Sequence, residues 1–245
     1  MLKSEEVKRM AAEVGFEACG VARADALTDD EYPLREWIAK GWHAELGYME
    51  RNVDKRMDPR LLVPGARTVI CVVSAYGPPE KGRDDGVAAY AQRREYHDVI
   101  KPMLSALRQK LAIDGKLCCD TVPVSDKHWA ARAGLGWIGR HTLLITKQWG
   151  SWVNLGEIVT TEECDKYDAP YEHRCGTCRK CVEACPNHAI AAEGSPMINV
   201  ARCIAYYTTH NPRPMPPDVD DGGYTLGCDI CQLSCPYNQK IKPSV

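Results

Sequence analysis

The stretch Cys175-Gly-Thr-Cys178-Arg-Lys-Cys181-Val-Glu-Ala-Cys185-Pro186 decides how the rest of the chain is read. Its spacing, C-x2-C-x2-C-x3-C-P, is that of thiolates ligating a [4Fe–4S] cluster. The two-residue gaps let Cys175, Cys178 and Cys181 converge from one tight loop. Cys185 lies at the start of a short helix and points away; where two clusters are present, this fourth thiolate serves the other one. The run therefore predicts a second cluster. A structural zinc site is the alternative, but zinc is commonly held by two separated C-x2-C pairs, which these closely set thiols fit poorly.

The C-terminal stretch answers with Cys228-Asp-Ile-Cys231-Gln-Leu-Ser-Cys235-Pro236, a bacterial ferredoxin half-motif short of one Cys. Cys203 fills the gap. With the ligand crossover, one cluster takes Cys175, Cys178, Cys181 and Cys235, and the other takes Cys185, Cys203, Cys228 and Cys231. Of the other thiols, Cys19 and Cys71 read as small buried apolar residues. Cys164 falls in a linker. Cys118 and Cys119 precede a candidate acid, and a buried strand thiol is ordinarily inert.

The chain has 245 residues, 13 of them Cys, and a net charge of −2. That length holds one large or two small domains. The balanced charge lacks the basic footprint of a dedicated nucleic-acid binder, so no DNA partner is expected. The N-terminus lacks the apolar run of a signal peptide. No stretch reaches the ~18 apolar residues of a membrane span. A soluble cytoplasmic protein without a membrane partner is expected, and in a reducing compartment the Cys content points to metal ligation rather than disulfides.

Before Glu162 the pattern is α+β. Helices are expected over 3–14, 34–40, 44–51, 95–113 and 125–133. Strands are expected over 16–21, 68–75, 88–90, 116–120, 142–146 and 152–160, with turn-rich loops at 56–64 and 77–86. After Glu162 the chain turns Cys- and Pro-rich, which sets a boundary at 161–172 between a body (1–161) and a two-cluster domain (162–245). Gly134-Leu-Gly136-Trp-Ile-Gly139 matches Gly-x-Gly-x-x-Gly. It follows a helix rather than a strand, so the dinucleotide reading fails its context test. A turn that lets the backbone approach a flat ligand, or a tight turn with Trp137 packed in the core, are the readings left.

Several stretches resemble the epoxyqueuosine reductase family. They are Gly47-Tyr-Met-Glu-Arg51, Lys55-Arg-Met-Asp-Pro-Arg60, Leu62-Val-Pro-Gly65, Arg94-Glu-Tyr-His97, Asp120-Thr-Val-Pro-Val124, Ala131 to Gly139, Gly150 to Ile158, Cys203-Ile-Ala-Tyr206 and Gly227 to Pro236. The resemblance implies a nitroreductase-like, cobalamin-binding body followed by a bacterial two-cluster ferredoxin-like domain. It implies base-off cobalamin between the two parts, two [4Fe–4S] clusters feeding electrons to cobalt from a flavodoxin- or ferredoxin-type donor, and reductive removal of an epoxide oxygen from epoxyqueuosine in tRNA. Asp120 occupies the place of the family's proton donor. Opening an epoxide leaves an alkoxide that needs a proton, and burial beside the corrin would keep the acid protonated. Without the resemblance, Asp120 reads as a strand-end or helix-capping residue.

By the same resemblance, Arg56, Tyr96, His97, Trp137, Leu144, Leu155, Thr208 and Asp229 are candidate cobalamin contacts, with His97 expected near the corrin and not on cobalt. Core burial explains Leu144 and Leu155 equally well. Three departures stand out. The chain stops soon after Pro236, as a short form without the C-terminal extension of longer members. Val122, Ser125 and Asp126 replace the more usual Ala, Leu and Glu, and the 203–228 loop is rich in Pro212, Pro214, Pro216 and Pro217. The competing functions are a related reductase of reductive-dehalogenase type acting on a small molecule, and a non-catalytic electron carrier or corrinoid-handling protein.

Overall fold

A four-stranded antiparallel sheet carries the body. The structure, a computed structural model, describes residues 1–29, 31–80, 85–210 and 214–241; residues 81–84 of the polar loop and Pro212 lie outside it. In chain order the body runs α1 (Ser4–Val14), β1 (Ala18–Arg23), α2 (Leu34–Ala39), α3 (Gly47–Glu50), α4 (Val53–Met57), β2 (Thr68–Ala75), α5 (His97–Lys110), β3 (Lys116–Cys118), α6 (Asp126–Arg132), β4 (Trp137–Ile138), β5 (Leu144–Ile145) and β6 (Val153–Thr160). The cysteine-rich part adds α7 (Lys180–Ala184), a π-helical turn at Tyr206–His210 and α8 (Ile230–Leu233). Among the described residues no helix is long and apolar enough to cross a membrane.

The sheet order is β1-β2-β6-β3. The first six residues of β2 are buried, because both faces of the sheet are covered and a doubly covered strand must be apolar on both sides. On one face, Ile70, Val72 and Ile158 meet α1 and α5, which contribute Val7, Ala11, Ile100, Leu104 and Leu107. The Ile100, Leu104 and Leu107 spacing of i, i+4, i+7 puts one helix stripe on the sheet. On the other face, Val69, Cys71 and Val159 meet Trp129 and Ala130 of α6 together with Met57 and Leu144. Each fully buried aliphatic side chain contributes roughly 1.5–3 kcal/mol through removal from water.

Three local expectations change. Residues 88–90 are not a strand: Ala89–Gln92 form a 3₁₀ turn, since Ala88-Ala89-Tyr90 lacks the β-branched residues that favour a pleated edge. The 56–64 stretch is not only loop, because α4 and a 3₁₀ turn at Pro59–Leu61 occupy it, the latter capped by the Asp58 carboxylate accepting the Arg60 amide. The strand expected over 142–146 shrinks to Leu144–Ile145, paired with β4.

The 161–172 segment packs back on the body. Leu2 bridges to Cys164, Lys8 pairs with Asp168 at 2.6 Å, and the Asp168 carboxylate accepts the Val21 amide. Further on, the body and the cysteine-rich part are joined by buried polar bonds. Ser151 N–H donates to Asn238 Oδ1 (2.7 Å) and Ser151 Oγ–H to Gln232 Oε1 (2.8 Å).

Candidate active site and thiol centres

Asp120 stands on a turn just beyond β3, two residues after Cys118. Its φ is +59°, in the left-handed region, which costs a non-glycine residue roughly 1–2 kcal/mol. Its side chain is 64% exposed, and the burial expected of it is burial against a bound corrin. The chain leaves the sheet at Cys118, and the turn lifts the carboxylate off the core. Tyr96, which caps α5, donates its hydroxyl to Asp120 Oδ2 at 2.9 Å. His97 Nε2 lies 4.0 Å from the same oxygen and has no hydrogen-bond partner among the described residues. The other imidazole nitrogen faces Glu95 at 2.8 Å. The Tyr96 and His97 rings lie 4.0 Å apart. Burial, then the Asp120 charge, pushes the Tyr96 phenol up, so it stays a donor.

Arg56 reaches this side of the molecule from α4. Its guanidinium lies 5.8 Å from the Tyr48 ring centroid, and its Nε is buried with no acceptor among the described residues. The Tyr48 phenol is pushed up by burial and then by the Asp120 charge. Tyr48 thus joins Arg56 and Asp120, a neighbour that spacing did not reveal. The only signal was its place in the Gly47–Arg51 block. Leu144 is buried in the α6-side core, and Leu155 packs against it while partly exposed.

Behind Asp120 lie two more carboxyl groups that sequence reasoning passed over. Glu157, on β6, is fully buried, and neither of its oxygens has a hydrogen-bond partner among the described residues other than a facing carboxyl group. That group belongs to Asp126, the first residue of α6. Burial, and then the Asp120 charge, pushes Asp126 up to about 6. Burial and the neighbouring Asp126 hold Glu157 well above the usual carboxylate range.

Thr208 and Asp229 are gathered elsewhere, at the seam. Thr208 Oγ–H faces the Ile204 and Gly227 carbonyls (3.0 and 3.2 Å). Asp229 is 1% exposed. It accepts the Ala89 amide at 2.6 Å and the Gln232 side-chain amide at 3.0 Å. The polar atoms of both residues are engaged by the protein itself.

Trp137 is packed with Ile145 and Cys235, its ring 4.8 Å from that of Tyr237 in an edge-on contact. The glycines around it serve this packing. A Cβ on Gly136 would overlap the Ile145 carbonyl, and one on Gly139 would meet the Ile145 side chain at 2.6 Å. The glycines thus let the turn close tightly around the packed Trp137.

Cys175, Cys178, Cys181 and Cys235 line one cavity of about 240 Å³, rimmed by Arg140, Arg174 and Lys240. Cys185, Cys203, Cys228 and Cys231 are mutual neighbours: the Cys228 thiol is pushed up to about 12 by burial and then by Cys203 and Cys185, while Cys231 feels Cys228, Cys203, Cys181 and Cys185. Among the described residues no three His, Cys, Asp or Glu side chains close around a single ion. Cys71, Cys118, Cys119 and Cys164 are buried and Cys19 is partly so. Burial pushes Cys119 up to about 12, which leaves it protonated and inert.

Comparison with known proteins bears on both halves. A family described as a 4Fe-4S double cluster binding domain matches residues 174–238. One described as epoxyqueuosine reductase QueG, DUF1730, matches residues 56–123. An epoxyqueuosine reductase from Cellulophaga algicola is 36% identical over 251 residues, covering 98% of this chain and 80% of that protein. The structure of epoxyqueuosine reductase from Streptococcus thermophilus superposes with a TM-score of 0.87 at 30% identity, over 98% of this chain and 67% of that one. A crystal structure of epoxyqueuosine reductase with an epoxyqueuosine-modified tRNA-Tyr stem loop gives a TM-score of 0.88 at 30% identity, over 98% and 66%.

Proposed function

Since the chain belongs to the epoxyqueuosine reductase family, we propose that it is a cobalamin-dependent reductase that removes the epoxide oxygen of epoxyqueuosine in tRNA, giving queuosine. In this reading residues 1–161 form a nitroreductase-like catalytic body. Residues 162–245 form a domain carrying two [4Fe–4S] clusters, one on Cys175, Cys178, Cys181 and Cys235 and the other on Cys185, Cys203, Cys228 and Cys231. The cavity lined by four thiols supports the first set, and the mutual proximity of the other four supports the second. The electron donor is a flavodoxin- or ferredoxin-type carrier, and the setting is the cytoplasm.

The residues around Asp120 suit base-off cobalamin. Arg56 Nε is a buried donor lacking an acceptor, which a corrin carboxamide supplies. Leu155 offers partly exposed apolar surface, and Tyr96 and His97 border the Asp120 carboxylate. Thr208 and Asp229, already bonded within the protein, act as wall and seam rather than as free donors. When bound, cobalamin supplies a low-valent cobalt able to reduce the epoxide.

The chain's own contribution is the proton. Asp120 as the acid delivers it to the epoxide oxygen, Tyr96 orients the carboxyl group through the 2.9 Å bond, and His97 stands beside it. Exposure of Asp120 supports a bound substrate completing its surroundings, since an acid must be reachable by the oxygen it protonates. The observation that carries this reading is the Tyr96–Asp120 pair beside Arg56 and Tyr48, in a body bonded to a thiol-rich domain.

Anaerobic reconstitution with iron, sulfide and cobalamin tests it, followed by visible spectroscopy and an assay on epoxyqueuosine-containing tRNA. Corrinoid and cluster absorbance with conversion of the tRNA, lost in Asp120→Asn, is the expected result. Corrinoid binding with no conversion would overturn the tRNA reading in favour of a small-molecule reductase. Clusters with no affinity for corrinoid would point to an electron carrier.

A further inference from the structure

Strand β6 places Glu157 between Cys71 of β2 and Cys118 of β3, on the sheet face beneath α6. A carboxyl group at the centre of a sheet has no water to solvate it. The polar group it faces is the carboxyl of Asp126, whose Oδ1 is also buried without a donor. Among the described residues the other titratable neighbours are Asp120, Lys127, Tyr32 and the thiols of Cys71, Cys118 and Cys119. Two neighbouring carboxylates cannot both stay ionised in such a place. One proton between them turns a repulsion into a hydrogen bond.

The other side of Asp126 faces the Asp120 turn, whose backbone and charge both bear on its carboxyl group. That turn is the left-handed one described above, which needs an external hold. We propose that Asp126 and Glu157 share a single proton, and that Asp126, kept in place by Glu157, clamps the Asp120 turn, so that both are positioning residues for the proton donor. Glu157 is the buried anchor, Asp126 the partly exposed arm, and Asp120 the exposed tip. The positioning role rests on the reading of Asp120 as the acid; the shared proton does not.

Infrared spectroscopy of the protein without substrate tests the proton directly. A carbonyl band of a protonated carboxyl group, sensitive to D₂O, is expected to persist at neutral pH and to vanish in Glu157→Gln. Its absence from the wild type would overturn the proposal. Kinetics of the reconstituted enzyme test the positioning. Asp126→Ala is expected to lower kcat by about tenfold with KM unchanged. Asp126→Asn, which keeps an acceptor oxygen, should recover kcat to within about threefold. In the double variant Asp126→Ala should add nothing to Asp120→Asn. Independent, multiplying losses would overturn the role. Should Asp126→Ala fail to fold, the comparison of Asp126→Asn with Asp120→Asn carries the same test. A fully active Asp120→Asn with the infrared band intact would remove the donor reading and the positioning role together, leaving only the shared proton.

Discussion

The thiol-rich domain and the carboxyl-rich face of the body gather their reactive groups by opposite means. Cys175, Cys178 and Cys181 lie within seven positions of one another, so one loop brings them together and their spacing announces the result. Asp120, Asp126 and Glu157 are brought together by the sheet. Glu157 meets the 120–126 segment only because β3 pairs with β6 in a register that sets Cys118 against Glu157. A slip of one residue would turn Glu157 to the opposite face, into the α1 and α5 core. Chemistry assembled by loop spacing tolerates drift in the surrounding fold, whereas chemistry assembled by register depends on the whole sheet.

The contrast is sharpest for Cys178→Ser. A serine in place of a thiolate ligand should remove one cluster and leave the other, so iron after reconstitution falls from about eight to about four per chain. Reductive turnover should be lost, and the sheet should keep its thermal stability to within a few degrees. Iron analysis and visible spectra check this. Retention of full iron content would break the proposed grouping of Cys175, Cys178, Cys181 and Cys235.

Asp120→Asn comes next. Removing a general acid typically lowers turnover by about 10²–10⁴-fold. Iron content and corrinoid absorbance should not change, because Asp120 is exposed and, among the described residues, its side-chain hydrogen bond is with Tyr96. A matching loss in Tyr96→Phe, smaller by about tenfold or more, would separate orienting the acid from being the acid. Single-turnover assays on epoxyqueuosine-containing tRNA measure both.

The same division explains what could be read before the fold was known. The β2 strand Thr68–Ala75 was legible residue for residue, because an eight-residue run with four Val or Ile has few other homes. The stripe of Ile100, Leu104 and Leu107 announced α5. The thiols announced a double-cluster domain, and residues 174–238 match one. The carboxyl pair was not legible. Glu157 sits in a block noted only for its resemblance, and nothing in Gly-Glu-Ile says that this Glu faces inward. Asp126 was noted as a departure from the family pattern, not as a partner. The backbone at Asp120 was not legible for a related reason: a left-handed turn after a three-residue strand leaves no trace in periodicity. The Ala88–Tyr90 strand failed because a short apolar run without β-branching is equally content in a 3₁₀ turn.

A pH series on stability tests the register-built half alone. Asp126 and Glu157 both have folded-state values above those of the unfolded chain. Each therefore contributes stability that is complete below about pH 4 and is lost as pH rises through its folded value. For Asp126 that loss runs through about pH 6, and for Glu157 it continues above. The Tm of the reconstituted protein should accordingly fall between pH 5 and pH 9, on the order of 5 °C for this pair. Glu157→Gln, which cannot ionise, should flatten the upper part of that decline. A Tm that rises over the interval, or an unaltered slope in Glu157→Gln, would contradict the shared proton.

The smallest effect is expected where the two halves meet. Asp229 is nearly inaccessible, yet its two oxygens accept from Ala89 of the body and from Gln232 of α8. In Asp229→Asn one of these donors would face an amide N–H₂ instead of an oxygen. The loss is one hydrogen bond to a charged group, offset by the easier burial of a neutral side chain, since burial already pushes the Asp229 carboxyl up. A net cost of about 1 kcal/mol follows, or roughly 2–4 °C in Tm for a chain of this size. If Asp229 served chiefly as a cobalamin contact, the substitution would instead weaken corrinoid binding and leave the Tm of the corrinoid-free protein unchanged. Thermal melts with and without cobalamin distinguish the two, because a seam residue lowers both curves by the same amount while a contact residue lowers only the second.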